Sequence, residues 1–352
     1  MKITEIDKNF MVKSDIGKDD VIFYDILEAP FKIYGVFFEN GMYRRMNESV
    51  AKTVSPSVYA LHANTAGGRV KFVTDSPYVA ISTKEGEVCR MSHFALTATA
   101  GFDMYDEYGY VSTFMPPYDI ETGYKSVFDF TDVKLREVTI NFPLYSNVYD
   151  VKIGLKEGSK VLPASDYKNE KPVVFYGSSI TQGGCASRPG NSYQAIISRK
   201  QNLDYINLGF SGSACAEDEI AEYIAGLDMS IFVYDYDYNA PTVEHLKNTH
   251  EKMFKTVRDK NPDLPVIMIT RPGVSPNMDE VEARRKIVHT TYENALKNGD
   301  KNVHFISGED IFKYEDQNMI TCDGVHPNDF GFWCMSEVIG KKIKEIWDEK
   351  YE

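Results

Sequence analysis

Val173-Val174-Phe175-Tyr176 runs directly into Gly177-Ser178-Ser179-Ile180-Thr181-Gln182-Gly183-Gly184, and the architecture follows from this junction. Four successive β-branched or aromatic residues with no polar alternation describe a strand buried on both faces, and the glycine-rich turn ends it. Further runs at Asp204–Leu208, Ser230–Tyr234, Pro265–Thr270 and Val303–Ile306 read as strands too. Helical stretches alternate with them at Ser192–Lys200, Glu217–Ala225, Val243–Asp259, Asp279–Leu296 and Asn328–Trp347. Strand and helix in repeated alternation predict an α/β domain with a parallel sheet covered on both faces, whose functional crevice lies at the carboxyl ends of the strands.

Upstream the pattern differs. From about Phe10 to Leu162 there are short runs rich in Val, Ile, Tyr, Phe and Thr: Val21–Tyr24, Phe31–Phe38, Arg69–Thr74, Tyr78–Ser82, Phe94–Ala98, Tyr110–Phe114, Glu137–Phe142 and Val151–Leu155. Turn clusters such as Asn40-Gly41 and Asp75-Ser76-Pro77 separate them, and within this half Asn47–Val54 alone reads as helical. This predicts an antiparallel β-sandwich, jelly-roll-like. The polar segment Lys156–Lys171 is the expected linker, which divides the chain into an accessory domain, 1–165, and a catalytic domain, 166–352.

The 352 residues are 43% hydrophobic and 26% charged, as in ordinary globular proteins, and 39 basic against 52 acidic side chains leave a net charge of −13. Such a surface repels phosphate backbones and anionic lipid, so nucleic acid and membrane are not expected as partners. Met1–Val12 interleaves charges with apolar residues and offers no signal-peptide core, and no apolar run of transmembrane length follows, so a cytoplasmic protein is expected. Five scattered cysteines, Cys89, Cys185, Cys215, Cys322 and Cys334, without a Cys-x-x-Cys, are expected as reduced thiols. His245 and His250 are five apart and His62, His93, His289 and His304 stand alone, so neither a metal site nor a cofactor is expected.

The residues after each strand carry the chemistry. The first turn matches neither the dinucleotide fingerprint nor the P-loop, and a serine there projects into the crevice as a nucleophile. Gly212, in Gly209-Phe210-Ser211-Gly212-Ser213-Ala214, reads either as a donor of its N–H to an oxyanion or as a loop glycine with positive φ, and Asn239, in Asp235-Tyr236-Asp237-Tyr238-Asn239-Ala240-Pro241, either as an amide donor or as part of a capped turn before the next helix. Near the end, Asp323 stands three residues before His326, immediately ahead of the last helix. That spacing lets a carboxylate orient one ring nitrogen while the other faces the crevice, as a general base requires.

Taken together, Ser, Gly, Asn and Asp-x-x-His at successive strand ends resemble the SGNH hydrolases, the GDSL-type esterases and lipases. The resemblance implies a flavodoxin-like three-layer α/β/α fold, with Ser179 as nucleophile, His326 as base and Asp323 as its orienting acid. It places the oxyanion hole at Ser179, Gly212 and Asn239. Ser178 stands where the family's first block has Asp, and Asn239 lies in Tyr-Asn-Ala-Pro rather than Gly-x-Asn-Asp. Both departures occur in a bacterial two-domain subgroup, whose first block is similar to Ser178–Gly190. Gly101-Phe102-Asp103-Met104-Tyr105 likewise resembles the Gly-x-Asp-Leu-Tyr signature of that subgroup's β domain, with Met for Leu.

The implied activity is removal of O-acetyl groups from carbohydrates, with acetylated xylo- or manno-oligosaccharides as substrates and no cofactor. Gln182, Arg188, Asp237, Arg271, Asp103 and Tyr105 are the expected substrate contacts. Two alternatives stand beside it: a short-chain lipid or aryl esterase, and a glycan-binding protein on a hydrolase fold. The sequence is compatible with either a monomer or a homo-oligomer.

Overall fold

The computed structural model describes residues 3–7, 12, 15–273, 278–312 and 317–351; the expected start of the β domain at Phe10 lies outside them. Two antiparallel sheets build the N-terminal half. In one, Val21–Asp25, Ser146–Lys156, Tyr78–Val88 and Gly123–Asp129 lie side by side in that order. In the other the order is Val161–Leu162, Arg69–Thr74, Arg136–Asn141, Phe102–Asp106 and Gly109–Phe114, with Lys32–Tyr34 also paired to Arg69–Thr74. Inward residues of both sheets, among them Val70, Phe72, Ile81, Phe102, Met104, Val138, Ile140, Val151 and Ile153, share one buried core, the packing that alternating strands dictate.

The expectation of a strand at Phe94–Ala98 is corrected: Leu96–Thr99 forms a short helix that leads into Phe102–Asp106. Its apolar residues divide between two cores, Leu96 packing on that of the β domain and Ala98 on that of the hydrolase half, instead of alternating across a sheet, so period alone misreads them. A second helix, Pro56–Leu61, follows Glu48–Val54, with Ser55 accepting a hydrogen bond from the Val58 N–H as its cap. The expected linker is no free tether, since Val161–Leu162 adds a strand pair to Arg69–Thr74 and Asp166 takes Lys32 at 2.6 Å.

The C-terminal half holds a five-stranded parallel sheet in the order Tyr205–Gly209, Val173–Gly177, Ile231–Asp235, Val266–Ile269, Val303–Ile306. Alternate residues feed opposite cores. Phe175, Val233 and Ile267 pack with Ile196, Phe332 and Ile339, whereas Tyr176, Tyr234 and Met268 pack with Ile220, Leu246 and Val288. The sheet reverses winding beside its first strand, and the carboxyl end of Val173–Gly177 is where such sheets place their functional crevice.

Buried polar groups join the halves. Arg45, fully buried, donates to the carbonyls of Asn207 at 3.1 Å, Gly209 at 2.7 Å and Leu61 at 2.8 Å. Arg69 pairs with Asp204, donates to the Tyr205 carbonyl at 3.2 Å and lies 3.9 Å over the Tyr205 ring. Asp103, also fully buried, accepts the Gly190 N–H at 2.9 Å and the Asn141 amide at 2.9 Å. Gly190 must be glycine here, because a Cβ would stand 2.4 Å from the Tyr105 hydroxyl and 2.7 Å from Asp103 Oδ2.

Two expectations follow. Gly190→Ala should wedge the domains apart and lower stability by about 1–3 kcal/mol, read as a drop in melting temperature; an unchanged melt would show that the seam yields freely. Glu85, almost fully buried in the β domain, has its carboxyl pushed up by burial to about 8. The folded state therefore keeps a proton that the unfolded chain releases near pH ~4, so this group's contribution to stability falls as pH rises from there to about 8. Glu85→Gln removes that dependence: the melting temperature of the variant relative to the parent should rise between pH ~5 and pH ~8. A pH-independent difference would sink the assignment.

Candidate active site

The first parallel strand ends at Gly177, where a Cβ would meet the Asp235 carbonyl oxygen and Thr181 Oγ1 at 2.2 Å. The chain turns there into the short helix Ser179–Gln182, whose N-cap Ser178 accepts the Ile180 N–H at 3.2 Å. Ser178 is thus used up by the backbone, while Ser179 Oγ stands 2.9 Å from His326 Nε2.

The turn from Asp323 to His326 is held from within. Asp323 Oδ1 accepts the N–H of Val325 at 2.9 Å and that of His326 at 2.8 Å, and Oδ2 lies 2.7 Å from His326 Nδ1. Partial burial raises the Asp323 carboxyl, but the backbone and ring N–H groups of His326 and the Val325 N–H outweigh it and hold it at about 2. An anionic acceptor on Nδ1 puts the proton of the neutral ring there, so the Nε2 lone pair faces the Ser179 hydroxyl.

The donors expected for an oxyanion hole are the N–H groups of Ser179 and Gly212 and the Asn239 amide. Gly212 has φ +68° in an exposed turn with open space where a Cβ would lie. Asn239 Oδ1 accepts the Ala214 N–H at 3.5 Å, which leaves its NH₂ as the free end. Among the described residues no acceptor is recorded for the Ser179 N–H, the Gly212 N–H or the Asn239 NH₂. Such donors are what a developing oxyanion needs.

The β domain supplies a wall that the sequence reading missed. The Phe94 ring lies 6.1 Å from the His326 ring and 4.9 Å from that of Tyr145, whose hydroxyl donates to the Ser179 carbonyl at 3.3 Å. His93 Nε2 lies 3.8 Å from Asp323 Oδ2, so this histidine does not stand alone. His93, Cys185 and His326 bring their ligand atoms within 4.8 Å of one another. No local spacing announces this, because the three come from segments far apart in the chain.

The six expected substrate contacts divide. Gln182 is fully buried, donates to Asn64 Oδ1 and the Leu144 carbonyl, both at 3.1 Å, and accepts the Ser211 N–H at 3.1 Å. Asp103 and Tyr105 are buried against Gly190 in the domain seam. Asp237 is fully buried beneath the crevice and accepts the Arg271 N–H at 2.8 Å; burial, set against the nearby arginines, pushes its carboxyl up to about 6. Arg188 and Arg271 keep partial exposure, over the rings of Tyr110 at 4.0 Å and Tyr238 at 4.3 Å.

Two family matches cover most of the chain: the GDSL-like lipase/acylhydrolase family over residues 170–344, and the GxDLY domain, the N-terminus of SGNH-hydrolase-type esterases, over residues 21–161. No curated protein matches it significantly. A solved structure described as a GDSL-like lipase from Bacteroides ovatus is similar at 26% identity and a TM-score of 0.84, over 93% of this chain and 98% of that one. A salicylyl-acyltransferase from a tetracycline biosynthetic pathway shares the fold at 18% identity and a TM-score of 0.77, over 94% and 98% of the two chains. So does a family two carbohydrate esterase from Cellvibrio japonicus, at 10% identity and a TM-score of 0.62, over 93% and 98%. With a serine, a histidine and an aspartate in line at the switch point of the parallel sheet, and both domains matched, the chain belongs to the SGNH-type esterases and acylhydrolases of the GDSL-like family.

Proposed function

We propose that this protein is a serine esterase that removes O-acetyl groups from carbohydrates through an acyl-enzyme. The observation that carries the hydrolytic part is the relay from Ser179 Oγ to His326 Nε2 at 2.9 Å and from His326 Nδ1 to Asp323 Oδ2 at 2.7 Å. Ser179 Oγ attacks the ester carbonyl as Nε2 takes its proton, and Asp323 stabilises the imidazolium. The carbonyl oxygen becomes an oxyanion against the Ser179 and Gly212 N–H groups and the Asn239 amide. The imidazolium then protonates the departing sugar oxygen, and water, deprotonated by His326, releases acetate from Ser179.

The carbohydrate reading is supported by a polar rim at the crevice, where His93, Arg271 and Asn239 retain partial or full exposure. It is supported also by analogy with the carbohydrate esterases that share this two-domain fold, a warrant of fold and not of site. Acetylated xylo- or manno-oligosaccharides are the substrates proposed. No helix among the described residues is long and apolar enough to cross a membrane, and the reducing cytoplasm suits the five free thiols.

Acetate release across a panel of defined acetylated oligosaccharides, beside long-chain lipid esters and aryl acetates, tests the substrate. Preference for the sugars is expected, and equal or better turnover of long-chain esters would reverse the reading. Ser179→Ala should lower kcat by about 10³-fold or more with an unchanged melt, whereas Ser178→Ala should retain the chemistry. Loss in Ser178→Ala with activity kept in Ser179→Ala would exchange their roles. EDTA should not lower turnover, since the relay and its donors suffice for acyl transfer.

A further inference from the structure

We infer that the crevice holds a binding site for one thiophilic divalent cation of the zinc class, ligated by His93, Cys185 and His326, and that its occupancy switches the esterase off. The binding half stands on geometry alone, and the inhibition half rests on the proposed hydrolytic function.

The three ligand atoms already converge within 4.8 Å of one another. Tetrahedral zinc, with bonds of about 2.0–2.1 Å to nitrogen and about 2.3 Å to sulfur, needs them roughly 3.3–3.7 Å apart. Closure is therefore a matter of side-chain rotation, and His93, with 37% of its side chain exposed, is free to provide it. One thiolate with two imidazoles and an open fourth corner for water is a donor set for zinc-like ions; magnesium and calcium prefer oxygen.

Two features fit the assignment. Cys185 is a non-glycine residue at φ +71°, a conformation that strains an L side chain, and its thiol, in no disulfide and outside the hydrolytic relay, is hydrogen-bonded to the thiol of Cys322. His326 is already oriented by Asp323 on Nδ1, the carboxylate–histidine arrangement that fixes metal-ligating imidazoles. With Nδ1 engaged by Asp323, Nε2 is the ring nitrogen left to bind a cation, and it is the one that faces Ser179 Oγ at 2.9 Å. A cation and the serine proton thus compete for one electron pair. As the metal–sulfur bond forms, the Cys185 S–H bond breaks and its proton leaves to solvent.

The test uses the full chain after dialysis against EDTA. Zinc added to a small aryl-acetate assay should abolish turnover at one equivalent bound, and EDTA should restore it. His93→Ala and Cys185→Ser, each compared with its own metal-free rate, should need at least tenfold more zinc for half-inhibition. Independently of any activity, cobalt(II) should give a thiolate-to-cobalt charge-transfer band that Cys185→Ser removes and His93→Ala weakens. Equal zinc sensitivity in parent and His93→Ala would overturn the site. So would a cobalt band that survives Cys185→Ser and vanishes in Cys322→Ser, the neighbouring thiol. An active esterase indifferent to zinc rejects the switch, whereas a Cys185-dependent band in a protein that hydrolyses no ester keeps the site and rejects the hydrolytic reading.

Discussion

One buried amide ties together everything the chemistry needs. Gln182 sits on the helix that Ser179 begins, and its NH₂ is divided between Asn64 and Leu144 of the β domain while its oxygen takes the Ser211 N–H. A single side chain therefore registers the helix that Ser179 begins against the second domain and against the loop that carries Gly212. Away from water each of these bonds is costly to break, because the abandoned partner stays desolvated. The backbone leaves no slack beneath it, as a Cβ on Gly209 would fall 2.1 Å from the Gln182 nitrogen.

The same constraint explains the division of labour between the domains. The hydrolase half brings the Ser179, His326 and Asp323 side chains together from its own turns. The other half sets the wall at Phe94 and Tyr145 and locks the first catalytic block at Gly190 through Asp103. Positioning by buried polar groups is stiff, which suits a site whose hydrogen bonds must stay aligned while charge moves through them.

What could be read from the sequence, and what could not, follows from the range of each signal. The parallel sheet was legible because fully buried strands such as Val173–Gly177 are uninterrupted apolar runs, a local property. Asp323 and His326 were legible because their spacing is local too. Gln182, Asp103, Tyr105 and Asp237, expected as substrate contacts, are all buried in the structure, and polarity near a strand end or a domain boundary does not announce that burial. Long-range packing decides that burial, as it decides the meeting of His93 with Asp323 across more than half of the chain. The helix at Leu96–Thr99 was hidden for a related reason: a four-residue turn is too short to show a period, and its apolar residues answer to two different cores.

The arginines of the seam have one more consequence. Tyr205–Gly209 is the outermost strand of the parallel sheet, and Arg69 and Arg45 bind its alternate carbonyls, those of Tyr205, Asn207 and Gly209. These are the acceptors that an unprotected edge strand offers to any extended chain seeking a partner. The β domain thus does for the hydrolase sheet what a charged or bulged edge does elsewhere. Cut free of it, the catalytic half would expose a sticky template for strand addition, so the two halves are bound to one chain by the need to stay soluble as much as by the need to react.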